Sequence, residues 1–350
     1  MTTMTPWGGQ RGLVLVLSGV GLALTRCGSA PVDYFGEPGV NAAGKGGASV
    51  SSAGSSANAR AGSVGVDAAG AAGLTGNESY EFVFDSQILP TSGNDYALDL
   101  DGDGGPNNAY GGVISALTSY GFDAQTAADA ELAAGRGLQL LALGVPRANS
   151  APSSATLELW RAQDQAAPDF AGAGSFVIDS GVPSARLDAI LNGRELKSVR
   201  AAAGETLPRL LLHLPLGGAL DLPVSVCSIS FEFAGTRLIG GQLNAAALAS
   251  DVDAIVPPAL AAEFDRRCTG ANVQSESCQT VLTLFDSNQD RHISADELRT
   301  SSPVKALLAP DVKLFDAQAK FAPDSAAKVK DALSIGFGFT AVAAQIKQPP

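Results

Sequence analysis

The chain has 350 residues, 45% of them hydrophobic by type, which is enough for one large or two modest domains around a sizeable core. Its net charge of −12 repels a phosphate backbone, so nucleic acid is excluded as an expected partner, whereas divalent cations are natural ones. At 6% aromatic residues the composition is also poor for a sugar-binding cleft.

In chain order, Arg11 precedes the apolar run GLVLVLSGVGLAL over 12–24. That run is too short to span a bilayer and fits the core of a signal peptide. Leu24-Thr25-Arg26-Cys27 follows. This tetrapeptide resembles the lipobox of bacterial lipoproteins, with Arg26 where that family has a small residue. The resemblance implies that 1–27 is a leader, that Cys27 is lipidated as the new N-terminus, and that the protein is exported and held on the outer membrane or cell surface by a lipid anchor. An ordinary signal peptide cut near Ala30 is the competing reading, and an uncleaved anchor ranks behind both. Residues 28–77 are dominated by Gly, Ala and Ser, with almost nothing to bury, and read as a disordered tether.

From Ser79 onward short segments alternate apolar and polar residues. Phe82 and Phe84 share a face, as do Leu157 and Leu159. Leu210, Leu212, Leu214 and Leu216 form a row with Arg209 and His213 opposite, and Leu333, Ile335, Phe337 and Phe339 form another near the C-terminus. Half-buried strands between Gly/Pro/Asp turns predict a mainly β body over 78–350, sandwich- or jelly-roll-like. Two stretches read as helices: 124–134, and 251–267 with a break at Pro257-Pro258. The last strand-like segment, 332–342, returns to the sheet, so 256–312 becomes a helical insertion.

Two acidic stretches carry candidate ligands. In LDLDGDGGPNN, 98–108, Asp99, Asp101 and Asp103 alternate, Gly104 follows, and Asn107 sits at the ninth position counted from Asp99. The stretch resembles the D-x-D-x-D-G loops of extracellular calcium proteins, although its twelfth position is Tyr110. Tyr96 to Leu100 reads as a strand leading into it, and a remote acid such as Asp123 is a candidate to complete the shell. An Asp/Gly-rich turn without an ion competes with this reading.

The second stretch is FDSNQDRHISADEL, 285–298. Asp286, Asn288 and Asp290 occupy positions 1, 3 and 5, His292 position 7, Ser294 position 9 and Glu297 position 12. This resembles the EF-hand calcium loop, a single helix–loop–helix. The resemblance implies Ca²⁺ held by the side chains of Asp286, Asn288, Asp290, Ser294 and Glu297 and by the backbone carbonyl of His292, with Ile293 anchoring the loop. Position 6, a glycine in the family because the turn wants positive φ, is Arg291. Ser294 is a candidate N-cap for the exit helix, and Ser302-Pro303 should end that helix.

The remaining cysteines sort by context. Cys268 and Cys278 flank a short polar segment in a chain read as exported, and predict a disulfide. Cys227 phases with Ile229, Phe231 and Phe233 and reads as a buried, inert thiol. Of two histidines, His292 falls in the calcium loop and His213 reads as a surface or rim residue. No nucleophile elbow, HExxH, CxxC or phosphate loop is present.

Taken with the lipobox-like end, the tether, the Cys pair, the LLAPD segment at 307–311 and GFGF at 336–339, the chain resembles exported surface proteins of myxobacterial type, a likeness that implies no activity. The expected function is a calcium-binding lipoprotein of structural or surface-interaction role, its EF-hand-like loop a calcium clip. The alternative is a secreted, calcium-stabilised hydrolase. A calcium sensor ranks third, because sensors pair their EF-hands and one full loop is seen. No protein or glycan partner is indicated. Mass spectrometry of membrane-fraction protein should find an acylated Cys27 as the mature N-terminus; a soluble species beginning at Pro31 would contradict the lipobox reading.

Overall fold

The computed structural model describes residues 78–145, 152–215, 220–268 and 270–349. The leader, Cys27 and tether expectations fall on 1–77, outside the described residues, as does Leu216. The alternating segments form eleven strands among the described residues: β1 (Glu78–Ile88), β2 (Gln139–Val145), β3 (Ser153–Arg161), β4 (Ser175–Val177), β5 (Ala185–Asn192), β6 (Glu195–Ser198), β7 (Arg209–Leu214), β8 (Leu220–Ala234), β9 (Arg237–Leu248), β10 (Ala332–Ala343) and β11 (Gln345–Lys347). Six helices accompany them: α1 (Ala109–Ser119), α2 (Ala124–Ala133), α3 (Ala249–Arg267), α4 (Glu276–Phe285), α5 (Ala295–Thr300) and α6 (Ser302–Leu307). The body is mainly β, as the alternation predicts.

The main sheet runs β6-β5-β3-β2-β1-β10-β9-β8-β7, and every pairing in it is antiparallel. β6 pairs with β5 on one side and with β8 on the other, through Leu196 opposite Phe231, so the sheet closes on itself. β7 lies along the first half of β8, with Leu214 opposite Leu220, while β6 lies along its second half. The opposed walls of this sandwich-like body therefore belong to one continuous sheet, which leaves few exposed strand edges.

Inward residues of every strand of that ring meet in one core. Phe82, Phe84, Leu141, Leu157, Leu187, Leu212, Ile229, Phe231 and Phe339 belong to it, and the rings of Phe84 and Phe339 stack at 4.1 Å. The helices continue this core instead of forming their own. Tyr110 and Val113 of α1, Phe264 of α3 and Phe285 of α4 pack into the same cluster. Two satellite clusters lie apart from it. One joins Val83, Leu140 and Val342 to Phe176 of β4 beside the small parallel β4/β11 pair. The other joins Ala246 and Ala332 to Val312, Leu314 and Phe321 of the 309–331 segment.

Three expectations need correction. Cys227 is buried but does not share a face with Ile229, Phe231 and Phe233. A β-bulge between Val226 and Ser228 shifts the phase, so Cys227 joins Leu207 and Ala246 in the satellite cluster. The second helix is not broken at Pro257-Pro258; α3 runs Ala249–Arg267 with both prolines inside it. Pro257 has no N–H for the carbonyl of Asp253, and Arg299 Nε of α5 donates to that oxygen at 3.3 Å instead. Finally, the stretch before Asp99 is not a strand. It is a turn in which Leu98 makes one isolated bridge to Asn107.

The predicted disulfide is formed: Cys268 at the C-terminal end of α3 is bonded to Cys278 in the first turn of α4. Cys227 is free, and burial pushes its thiol up to about 12. Thiol labelling followed by peptide mapping of the native protein should leave Cys227, Cys268 and Cys278 unmodified. Reduction should cost on the order of 2–3 kcal/mol by the loop-entropy model. Rapid modification of Cys227 would contradict the packing described.

Candidate metal centre

α4 ends at Phe285, whose ring stacks on Phe264 at 5.8 Å, and the 286–294 turn leads into α5. Ser294 caps α5: its Oγ accepts from Glu297 N–H, and Glu297 reciprocates, forming a capping box. Pro303 does not simply terminate the segment; it opens α6, which begins two residues after α5 ends. Ile293 is 1% exposed and Leu298 0%, both in the main core, so the loop is pinned at its apolar positions.

The polar side chains fold onto the loop's own backbone. Asp286 accepts from the amides of Asp290 at 3.1 Å and Arg291 at 2.8 Å. Asn288 Oδ1 accepts from Asp290 N–H at 2.9 Å, and Asp290 Oδ1 accepts from His292 N–H at 2.8 Å. Glu297 lies across the loop. Its Oε1 accepts from the N–H and the hydroxyl of Ser287, each at 2.9 Å, and its Oε2 from the N–H and hydroxyl of Ser294, also at 2.9 Å each. The Ser294 amide is the main reason its carboxyl is pulled down to about 2, with the hydroxyls of Ser294 and Ser287 adding to it. The imidazole of His292 turns away, its Nδ1 2.7 Å from Asp265 Oδ2 on α3, which leaves only backbone at position 7. Arg291 has φ 68°, the left-handed conformation that position 6 requires and that a side chain makes costly, and Gln289, two residues earlier, has φ 63°.

The first acidic stretch is organised differently. Asp99, Asp101 and Asp103 each place a carboxylate oxygen within 4.8 Å of the others, the one such trio among the described residues. Asp286, Asp290 and Glu297 are not gathered that closely; Glu297 is held by Ser287 and Ser294. Asp99 accepts from the amides of Gly102 at 2.7 Å and Gly104 at 3.1 Å, and Asp103 from that of Gly105 at 2.7 Å. Gly102 and Gly104 both have φ 83°, which a side chain would resist. Asp101 is 3% exposed, and its Oδ2 is 2.6 Å from Lys330 Nζ. Asn107 Oδ1 accepts from Leu100 N–H at 3.2 Å and closes the loop. Asp123 does not complete the trio, since its carboxylate caps α2 through Thr126.

No local pattern marks Lys330 for this site. Lys330 lies in the irregular 309–331 segment, which carries no periodic pattern. Asp311 is close enough to feel the charge of Asp101, but Ser334 holds both its oxygens, at 2.8 and 2.5 Å, and burial raises its carboxyl above the usual range.

His213 is a further correction. It is buried, not at the rim, because the turn before β2 covers the outer side of β7; a Cβ on Gly137 would come within 2.4 Å of its ring. Its Nδ1 is 2.8 Å from Asp221 Oδ1, and Asp221 Oδ2 takes Arg161 Nη1 at 2.5 Å. The hydrogen bond from His213 is the chief reason the Asp221 carboxyl lies below its usual range. A hydrolytic triad needs a hydroxyl or thiol at the other ring nitrogen. Nε2 instead faces the carboxylate of Glu131 at 3.5 Å, so this cluster reads as an ionic latch between α2, β7 and β8.

The chain matches no family model, no curated protein and no solved structure. Leu298→Ala should cost about 2–5 kcal/mol by opening a cavity beneath the loop. Arg291→Gly should cost nothing and add up to about 1 kcal/mol by relieving the positive φ. Chemical denaturation of the two variants checks this; equal destabilisation would show that the loop is neither anchored nor strained as described.

Proposed function

We propose that this chain is an exported calcium-binding lipoprotein of structural role, in which the 286–297 loop acts as a calcium clip. The observation that carries the reading is the Glu297 carboxylate, laid across the loop with one oxygen at Ser287 and the other at Ser294. Along the same loop the oxygens of Asp286, Asn288 and Asp290 recur at alternate positions. A donor set made wholly of carboxylate, amide, hydroxyl and backbone oxygens suits a hard cation, and a flexible mixed set suits Ca²⁺ over the smaller, stricter Mg²⁺.

The residues that would hold the ion are Asp286, Asn288, Asp290, Ser294 and Glu297, with the carbonyl of His292. Three carboxylates and a strained position 6 favour the weak affinity of extracellular modules, on the order of 10⁻⁴–10⁻³ M. A clip of that strength fills where calcium is abundant, which fits export. Export is further supported by the leader-like run over 12–24 and by a disulfide that an oxidising compartment maintains. Membrane attachment through Cys27 rests on the lipobox resemblance; no helix among the described residues is long and apolar enough to cross a membrane.

An ion that binds only the folded chain stabilises it by about 1.4 kcal/mol at ten times Kd. The melting temperature should therefore rise with calcium, and Glu297→Gln should remove much of the rise. An equal rise in the wild-type chain and in Glu297→Gln would sink the clip.

A further inference from the structure

We propose that Asp99, Asp101 and Asp103 form a second divalent-cation site, of calcium type, that joins the 98–105 loop to the 309–331 segment. It shares its ion with the function proposed above but none of its residues. The acidic trio alone would be an ordinary solvated turn. The deciding group is Asp101. Its side chain is 0% exposed and its Oδ2 pairs with Lys330, yet its Oδ1 is buried without any hydrogen-bond partner. A buried carboxylate oxygen without a partner is unfavourable, and such oxygens are rare in folded chains. Carboxylate oxygens of Asp99 and Asp103 lie within 4.8 Å of one on Asp101, so a cation among the three acids would relieve their repulsion and give the buried carboxylate a further partner.

The local charge favours a divalent ion, with Asp311 nearby adding to the negative side. Three carboxylates and the Lys330 ammonium leave a net charge of two negative units, which one divalent ion neutralises. The amides of Gly102, Gly104 and Gly105 use one lone pair of the oxygens they bond, and a carboxylate oxygen has two. Asp103 is exposed and Asp99 half-buried, so water can complete the shell from the outer side, as calcium tolerates.

The site sits where three separate stretches meet. Asp101 contacts Lys330 and receives the Lys313 amide at 3.5 Å, both from the 309–331 segment. Arg200, from the β6–β7 connection, donates to the carbonyl of Leu100. Lys330 is then a fixed counter-charge: it holds Asp101 when the ion is absent and opposes the ion when it binds.

The test is ion counting by equilibrium dialysis of the full chain against calcium, with circular dichroism to confirm folding. Wild type should bind two ions, Glu297→Gln one, Asp103→Asn one and the double variant none. Asp103 is exposed, so Asp103→Asn removes a ligand without disturbing the buried pair; Asp101→Asn repeats the test at the buried ligand. Lys330→Met should tighten the second site several-fold while lowering the melting temperature of the calcium-free protein. A folded Glu297→Gln that binds nothing overturns this site and leaves the 286–297 clip intact. A Glu297→Gln that still binds two ions, one of them lost on adding Asp103→Asn, keeps this site and overturns the clip. Undiminished binding in Asp103→Asn, or a Lys330→Met that melts lower with unchanged affinity, overturns the inference and leaves Lys330–Asp101 a plain ion pair.

Discussion

The structure depends on one pairing: β10, the last long strand, lies between β1 and β9 and joins the two ends of the meander. Without it β1 and β9 are open edges and the core rows on opposite walls have nothing to close against. β10 can fill this place because it is buried on both faces. Leu333, Ile335, Phe337 and Phe339 point to the main core, while Gly336 and Gly338 on the other face admit the backbone and ring of Tyr96. A side chain at either glycine would collide with Tyr96. Asn108 reinforces the seam by bonding both the N–H and the C=O of Gly336, each at 2.9 Å.

That closure explains where the candidate ion sites lie. The β9–β10 pairing reaches Ala332 opposite Leu248, so the whole stretch 249–331 is an excursion from a single hairpin, returned to its own base. Lengthening such an excursion costs little additional closure entropy, provided it buries enough surface of its own. Its helices do so by extending the barrel core through Phe264, Phe285, Ile293 and Leu298. The polar loop between α4 and α5 lies outside that core, its carboxylates exposed or half-buried, anchored by Ile293 and by Leu298 in α5. In the function proposed above, an ion there would offset the repulsion among the acids and hold the two helices at fixed spacing. The 98–105 loop meets the other end of the same excursion through Lys330 and Lys313.

Legibility in the sequence followed periodicity. Strands with strict alternation, such as Leu157–Leu159 and Leu333–Phe339, could be read because large apolar side chains alternate with small or polar ones. The phase failed at Cys227, where a bulge adds a residue that no local pattern marks. The rim assignment of His213 failed because alternation tells which side a residue faces but not that the turn at Gly135–Gly137 covers that side. Two prolines suggested a helix break; the remedy, Arg299 reaching back to Asp253, comes from a residue far along the chain. The polar spacing of the 286–297 loop could be read because all its positions are local in sequence. Lys330 could not, since it meets Asp101 only through the fold.

The central claim is that calcium in the 286–297 loop fixes the helical excursion against the barrel. Hydrogen exchange of the full chain, with and without calcium, tests it at the amides concerned. The account predicts slower exchange with calcium across 286–298, where Ser287, Asn288 and Ser294 donate to Glu297, with the added protection extending into α4 and α5. Exchange in these amides that is unchanged by calcium, under conditions where the chain demonstrably binds it, would contradict the account.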